Sequence, residues 1–353
     1  MMTSTLQCEN EFTAIDLFCG CGAVTLGLKA RGYKVVAAVD NDPAACGTYR
    51  TNHQEVVLYE QDIRTVEPAK LRCDLGERAL DIMVVCAPCQ PFSSQNHYRG
   101  DDPRAHLILE SVRFATVLKP RIILYENVPG LVAGANTPVL DTLLQSLRQA
   151  GYLIGDPVSL DAADHRVPQR RKRCVLFASR IGLPPQPPEP QTPAPARITV
   201  RDAIGDLEPL SAGQSCASDS MHAARAHKPI ALQRMRHISK DGGSRSELPP
   251  ELCLSCHKHP NKHPDVYGRM KWADVAPTLT TGCTDITRGR FMHPNDNRAI
   301  TLREAARLQT FPDDYHFFGS NKDIARQIGN AVPVRLAEAL AGAVAEALRA
   351  QTE

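Results

Sequence analysis

Six short apolar runs, most of them ending near a charged or reactive side chain, constrain this chain more than any other feature. Thr13-Ala14-Ile15-Asp16-Leu17-Phe18 opens into Cys19-Gly20-Cys21-Gly22, Tyr33 to Val39 stops at Asp40, and Glu55 to Tyr59 precedes Asp62. Leu80 to Val85 leads into Cys89, Arg121 to Tyr125 stops at Glu126-Asn127, and Arg173 to Ala178 follows a basic block. Helical stretches lie between them: a turn and helix through Leu26 to Ala30, Pro43 to Asn52 with Asp42 placed as N-cap, His106 to Leu118, and Val139 to Ala150 closed by Gly151. Strands alternating with helices predict a doubly wound parallel sheet. Such sheets bind ligands beyond the carboxyl ends of their strands. That places the Cys89 thiol at the mouth of the sheet, as a nucleophile, a redox thiol, a metal ligand or packing.

The alternation stops at a run of prolines, Pro184, Pro185, Pro187, Pro188, Pro190, Pro193 and Pro195, a density that excludes helix and central strand and reads as a linker over 184–197. From 198 to 300 periodicity is weak and His, Gly, Pro and basic residues are frequent, which reads as a second, irregular domain. Order returns at Thr301-Leu302-Arg303-Glu304, a capping box that opens a helix through Leu308, and Val334 to Leu348 is an amphipathic Ala/Leu helix. With 353 residues the chain has room for two such domains, and no apolar run is long enough to span a bilayer. The first ten residues lack a basic segment followed by an apolar one, against a secretory leader, and the twelve scattered cysteines read as reduced thiols of a cytosolic protein. The net charge of +2 hides an asymmetry: acids dominate early, whereas Arg170-Arg171-Lys172-Arg173 and the loose series Arg225 to Arg245 are basic, as a polyanion partner or a solvated face requires.

Glycines in Cys19-Gly20-Cys21-Gly22 allow a cofactor to approach the backbone, or simply a tight strand–helix turn. Asp40, at the next strand end, can take both hydroxyls of a ribose, and Asp62 can accept from an adenine amino group, so three successive strand ends argue for an adenosine-containing cofactor. Glu126 at its strand end can hold or donate a proton, cap a helix or form an ion pair. Strand alternation puts Arg171 and Arg173 on one side, suited to a carboxylate, a phosphate or a base carbonyl. Cys86-Ala87-Pro88-Cys89 has redox spacing, but Gln90-Pro91-Phe92 follows it and no thioredoxin-sized domain is apparent. Cys253, Cys256, His259 and His263 have spacing that could hold zinc, but the second cysteine pair of a structural finger is missing, so no metal is expected.

In this order the pieces resemble a DNA (cytosine-5) methyltransferase of the bacterial type II modification class, from Phe12 to Leu348. The cofactor loop F-x-G-x-G-G is similar to Phe18-Cys19-Gly20-Cys21-Gly22-Ala23, with Ala23 for the last glycine. P-C-Q is matched by Pro88-Cys89-Gln90, with Cys86-Ala87 for the usual Gly-Pro before it, E-N-V by Glu126-Asn127-Val128, and Q-x-R-x-R by Gln169, Arg171 and Arg173. Arg303-Glu304-Ala305-Ala306-Arg307-Leu308-Gln309-Thr310-Phe311-Pro312 and Gln327-Ile328-Gly329-Asn330-Ala331-Val332-Pro333 complete the series.

The resemblance implies a doubly wound mixed sheet of the class I S-adenosylmethionine-dependent type with a smaller target-recognition domain. It implies a catalytic domain over 12–183 completed by 322–350, a target-recognition domain over 198–300 and a hinge over 301–321. Cys89 would be the nucleophile, Glu126 would bind the cytosine N3 and amine, and Arg171 and Arg173 would steady the base and the carboxylate. S-adenosylmethionine, leaving as S-adenosylhomocysteine, would be held by Phe18, Cys19, Gly20, Gly22, Asp40, Asn41, Asp62, Ile63, Pro88, Asn330 and Val332. Duplex DNA would meet Gln90, Ser93, Gly243, Arg245, Arg269 and Thr281. Arg298 and Arg303 would be interdomain or phosphate-positioning residues. The implied protein is a cytoplasmic monomer, with room for a restriction endonuclease that acts on the same site without a physical complex. An RNA cytosine-5 methyltransferase is the rival reading, against which stand the large recognition region and Pro91-Phe92-Ser93. A non-catalytic DNA-binding relative is another, against which stands the intact set Cys89, Glu126, Arg171 and Arg173.

Overall fold

The computed structural model describes residues 12–92, 102–133, 136–254 and 265–351. Contacts divide the chain into two compact units: Met1–Leu160 with Lys172–Glu189 and Ala337–Glu353, and Asp161–Arg171 with Pro190–Leu336. By contacts the C-terminal segment groups with the first unit from Ala337, and residues 301–336 group with the second.

The first unit is built on β1 (Thr13–Leu17), β2 (Lys34–Asp40), β3 (Val57–Glu60), β4 (Ile82–Val85), β5 (Ile122–Asn127), β6 (Leu153–Ile154), β7 (Val158–Asp161) and β8 (Lys172–Ser179). Its helices are α1 (Ala23–Lys29), α2 (Pro43–Asn52), α3 (Pro68–Leu75), α4 (Glu110–Leu118) and α5 (Thr137–Gln149). The second unit holds α6 (Val200–Ile204), α7 (Pro229–His237), α8 (Leu302–Leu308) and α9 (Asn321–Asn330), and the unit boundary falls inside α10 (Val334–Ala350).

The sheet order is β3-β2-β1-β4-β5-β8-β6, with β7 also paired to β8. The first five strands in this order run parallel, while β8 is antiparallel to both β5 and β6, so the sheet is mixed rather than wholly parallel. Alternate residues of each strand face opposite sides. Ile15, Leu17, Val39, Met83, Val85, Ile123 and Tyr125 share one core with Leu71 and Leu75 of α3, Phe114 and Leu118 of α4, and Leu143 and Leu147 of α5. On the other face Asp16 meets Thr25 of α1, and Thr25 meets Tyr49 of α2. α10 covers α1 there: a Cβ on Gly27 would stand 2.7 Å from the Ala337 Cβ, and the Tyr33 hydroxyl donates to the Ala341 carbonyl at 3.0 Å. The strand order reverses between β1 and β4, and the crevice beyond the carboxyl ends of the strands at that switch is where open sheets bind ligands. No helix among the described residues is long and apolar enough to cross a membrane.

α2 starts where its sequence says it should: the Asp42 carboxylate accepts from the amides of Ala44 and Ala45 at 3.0 and 3.2 Å, and Pro43 supplies the first helical residue. His106 to Leu109, expected to be α-helical, is instead part of a tighter 3₁₀ stretch over Pro103–Leu109 that feeds α4.

Candidate functional site

At the carboxyl end of β1 the chain passes through three left-handed positions in five residues, Phe18 (φ 61°), Gly20 (φ 53°) and Gly22 (φ 91°). For Phe18 that conformation costs about 1–2 kcal/mol, because its Cβ crowds the following carbonyl. The strain is held by ties to β2: the Cys19 amide donates to the Val39 carbonyl at 3.1 Å and the Gly20 amide to Asp40 Oδ2 at 2.8 Å. Asp40 Oδ1 accepts from the Asp42 amide at 2.9 Å, so one carboxylate fixes both the glycine loop and the start of α2. Burial pushes Asp40 above the usual carboxylate range. Asn41 beside it is exposed. No heavy atom lies within 4 Å of where a Cβ on Gly20 would stand, which leaves that side of the loop open to an approaching group.

Asp16 lies beneath the loop. Its Oδ2 accepts from the Thr25 hydroxyl at 2.9 Å, while its buried Oδ1 meets no hydrogen-bond donor among the described residues. Burial, opposed by the Thr25 hydroxyl and reinforced by the charge of Asp40, pushes Asp16 up to about 7. Past β3, Asp62 is gripped by Arg64 through Nε at 2.9 Å and Nη2 at 2.6 Å, which holds its carboxyl down at about 2. Ile63 is buried in the core.

The thiol stands one strand further along. β4 and β5 are neighbours in register Val85 with Tyr125, so the segment carrying Cys89 and the strand end carrying Glu126 emerge side by side. Three contacts fix their spacing. The Cys86 amide donates to the Leu17 carbonyl at 3.2 Å, Asn127 Nδ2 donates to the Ala87 carbonyl at 3.1 Å, and the Phe92 amide closes a turn on the Cys89 carbonyl at 3.1 Å. Gly130 then meets Phe92 so closely that a Cβ there would stand 1.8 Å from the Phe92 carbonyl oxygen. Pro88 and Cys89 are half-buried and Gln90 is exposed, while Ser93 lies outside the described residues. Glu126 is buried beside Arg173 of β8, with Arg173 Nε 2.8 Å from Glu126 Oε1. Burial first, then the charge of Glu126, pushes the Cys86 thiol well above the ordinary thiol range, so it stays protonated.

Arg171 has a different setting, within the second unit. Its Nη1 donates to the Leu279 carbonyl at 2.8 Å and its Nη2 to the carbonyls of Gly329 and Ala331 at 2.9 and 3.0 Å. Gln169 joins the same network, donating to Gln309 Oε1 at 2.9 Å and accepting from the Leu279 amide at 2.9 Å. Gln309 in turn donates to the carbonyls of Ile328 and Ala331. Gly329 has no room for a side chain, since a Cβ would stand 2.3 Å from the Thr280 carbonyl. Widely separated motifs thus meet as one buried polar knot that positions main chain. Asn330, at the end of α9, is exposed and Val332 is buried.

Among the residues expected to meet DNA, Arg269 is a correction. It is 1% exposed and spends its guanidinium on the carbonyls of Met235, Ile238, His293 and Asp296 and on the Asn297 side chain, so it cannot reach a partner. Arg298 is likewise internal, paired through both terminal nitrogens with Glu304 at 2.8 Å. Arg303 pairs with Asp219 and Asp313. Thr281 is exposed and Arg245 is half-buried. Gly243 is explained by packing, since a Cβ would stand 2.3 Å from the Ser239 carbonyl oxygen. No group of three metal-ligating side chains occurs among the described residues. Cys256, His259 and His263 of the zinc-like segment lie outside them. The sequence reading passed over Gly130, although Pro129-Gly130 directly after Glu126-Asn127-Val128 marks a sharp turn at a strand end.

The profile of the C-5 cytosine-specific DNA methylase family matches residues 12–346. A Type II methylase of Herpetosiphon aurantiacus, M.HgiDII, is 40% identical over 336 residues, covering 94% of each chain. A Type II methyltransferase of Xanthomonas oryzae, M.XorII, is 34% identical over 371 residues, covering 96% of this chain and 86% of its own. Among solved structures, one assigned as a DNA modification methyltransferase encoded within an E. coli prophage superposes with a TM-score of 0.77 at 22% identity, over 96% of this chain and 100% of the other. The S. pombe Dnmt2 methyltransferase superposes at 0.60 with 20% identity, over 96% and 99%. With its mixed doubly wound sheet and its ordered motifs, the chain belongs to the C-5 cytosine-specific DNA methylase family and is a DNA (cytosine-5) methyltransferase.

Proposed function

We propose that the chain methylates C5 of a cytosine turned out of duplex DNA, with Cys89 as covalent nucleophile and S-adenosylmethionine as donor. The observation that carries this reading is the pairing of two adjacent strand ends, one bearing Cys89 and the other Glu126 held by Arg173 at 2.8 Å. The donor fits the loop after β1: Gly20 is open on one side, Asp40 is fixed to meet ribose hydroxyls, and Asp62 has lone pairs left for an adenine amine. When bound it supplies an electrophilic methyl carbon.

Cytosine C5 is too weak a nucleophile for that carbon. Addition of the Cys89 thiolate to C6 forms an S–C6 bond and moves the C5–C6 electron pair onto C5, making it enamine-like. Glu126 holds a proton at N3 and accepts from the exocyclic amine, which offsets the charge that develops as sulfur adds; such groups contribute about 10²–10⁴-fold. Arg173 keeps Glu126 oriented. Once C5 has gained the methyl carbon with its electron pair, the C5 proton would leave to water, the C5–C6 double bond re-form, and Cys89 depart as thiolate. Reaching Cys89 requires extruding the base, at about a few kcal/mol. Arg171 acts in this reading as a positioning residue, clamping the 279 and 329–331 main chain. The Type II names of the relatives support a modification role; in this reading the chain acts as a monomer in the cytoplasm and protects sites from an endonuclease.

The test is covalent trapping. Duplex DNA carrying 5-fluorocytosine blocks proton loss from C5, so with S-adenosylmethionine the wild-type protein should give a denaturation-resistant adduct, and Cys89→Ala should give none. An adduct with Cys89→Ala removes the nucleophile assignment.

A further inference from the structure

Within the second unit a cavity of about 530 Å³ opens between residues 220–225, the turns of 281–288 and the first half of α9. Four cations line it: Arg225, Arg288, Lys322 and Arg326. Arg225 is paired with Asp285 at 3.2 Å and Arg326 with Asp323 at 3.2 Å. Among the described residues no ion pair involves Arg288 or Lys322, and both are exposed. Against these four cations stand the carboxylates of Asp285 and Asp323, which leaves a net local charge of +2, and Thr281 and Thr284 also line the cavity.

Arg288 is held in place by its surroundings. A Cβ on Gly282 would stand 2.1 Å from Arg288 Cδ and 3.0 Å from its Nε, so the arginine stem lies directly across that glycine. Successive turns wind the segment beneath it: the Cys283 amide donates to the Thr280 carbonyl, Asp285 to Gly282 and Arg288 to Asp285, each at 3.0 Å. A guanidinium whose stem lies on a turn, in a cavity also lined by a lysine and two threonines, matches a phosphodiester. The guanidinium offers a planar fork, the lysine a point charge, and the hydroxyls neutral donors.

We propose that this cavity is a station for a phosphate of the DNA backbone, with Arg288 and Lys322 as its charged contacts and Gly282 present to let Arg288 lie where it does. The proposal rests on duplex DNA being the substrate.

Each phosphate contact releases counterions, so log K falls with log[salt] with a slope of about 0.9 per contact. Binding of a fluorescent duplex by the full chain, followed by anisotropy over a salt series, should give slopes lower by about 0.9 for Arg288→Gln and for Lys322→Gln, with equal weakening on cognate and scrambled duplexes. Gly282→Ala, which dislodges Arg288, should reproduce the Arg288→Gln slope. Wild-type slopes in Arg288→Gln and Lys322→Gln overturn the proposal, and so does a loss confined to one sequence, which marks base reading instead. A wild-type protein that binds no duplex DNA overturns the reading beneath it as well.

Discussion

Gly130→Ala tests whether the registration of the two strand ends proposed to carry Cys89 and Glu126 into catalysis matters. The new Cβ would stand 1.8 Å from the Phe92 carbonyl oxygen and 3.0 Å from its carbon. Raising the first distance from 1.8 Å to 3.0 Å, below which real Cβ contacts essentially never fall, requires a shift of about 1.2 Å. The listener to that shift is main chain on both sides, not a flexible side chain: Phe92 closes the Cys89 turn, and Gly130 follows Glu126 by four residues. A misplacement of about 1 Å costs on the order of 10²-fold in rate, or about 2.7 kcal/mol of barrier. Single-turnover methyl transfer with labelled donor and excess enzyme should therefore slow by about 10²-fold, with duplex affinity retained. Gly342→Ala in α10 is the control, because its Cβ would meet its nearest atom, Arg31 Cζ, at an ordinary 3.5 Å. In a helix interior that change stabilises by about 0.5–1 kcal/mol. A folded Gly130→Ala protein that turns over at the wild-type rate refutes the idea that the Phe92–Gly130 contact sets the distance between thiol and carboxylate.

Asp16 gives a pH signature. With its carboxyl raised from 3.8 to about 7 in the folded state, the native protein binds the extra proton between those values, so its contribution to stability is full below pH 3.8 and lost as pH rises towards 7. Urea midpoints should fall across that window for the wild type relative to Asp16→Asn, and parallel profiles would count against the assignment. Thr301→Ala removes the cap of α8, whose hydroxyl accepts from the Glu304 amide at 3.1 Å while Glu304 accepts from the Thr301 amide at 2.7 Å. The expected loss is about 1–2 kcal/mol, read as a lower urea midpoint, and an unchanged midpoint contradicts it.

What the sequence revealed, and what it hid, follows the range of the interactions involved. The Asp42-Pro43 start of α2 and the Thr301–Glu304 box of α8 are bonds between residues a few positions apart, and both are legible in the letters. The placement of Asp40 and Glu126 at strand ends and of Cys89 just beyond one was legible too, because an apolar run followed by a reactive residue has few structural outlets. β6 and β7, of two and four residues, were missed: they are too short to carry a period, and their place is set by pairing with β8. Arg269 was misjudged because five groups spread from Met235 to Asn297 converge on it, and a buried guanidinium looks like a surface one in sequence. Arg171 and Arg173, two residues apart, enter unrelated networks, one clamping main chain and one holding Glu126, a divergence that strand alternation alone does not reveal.

The packing of α10 on α1 also orders events during synthesis. α1 leaves the ribosome well before α10, yet the face of α1 at Gly27 packs on Ala337 and Glu338, and the Tyr33 hydroxyl donates to the Ala341 carbonyl. The first unit is thus left unfinished until α10 has been translated. By then the residues of the second unit, which lie between these two segments in the chain, have been made. A nascent fragment that stops short of α10 lacks the packing that this helix supplies to α1.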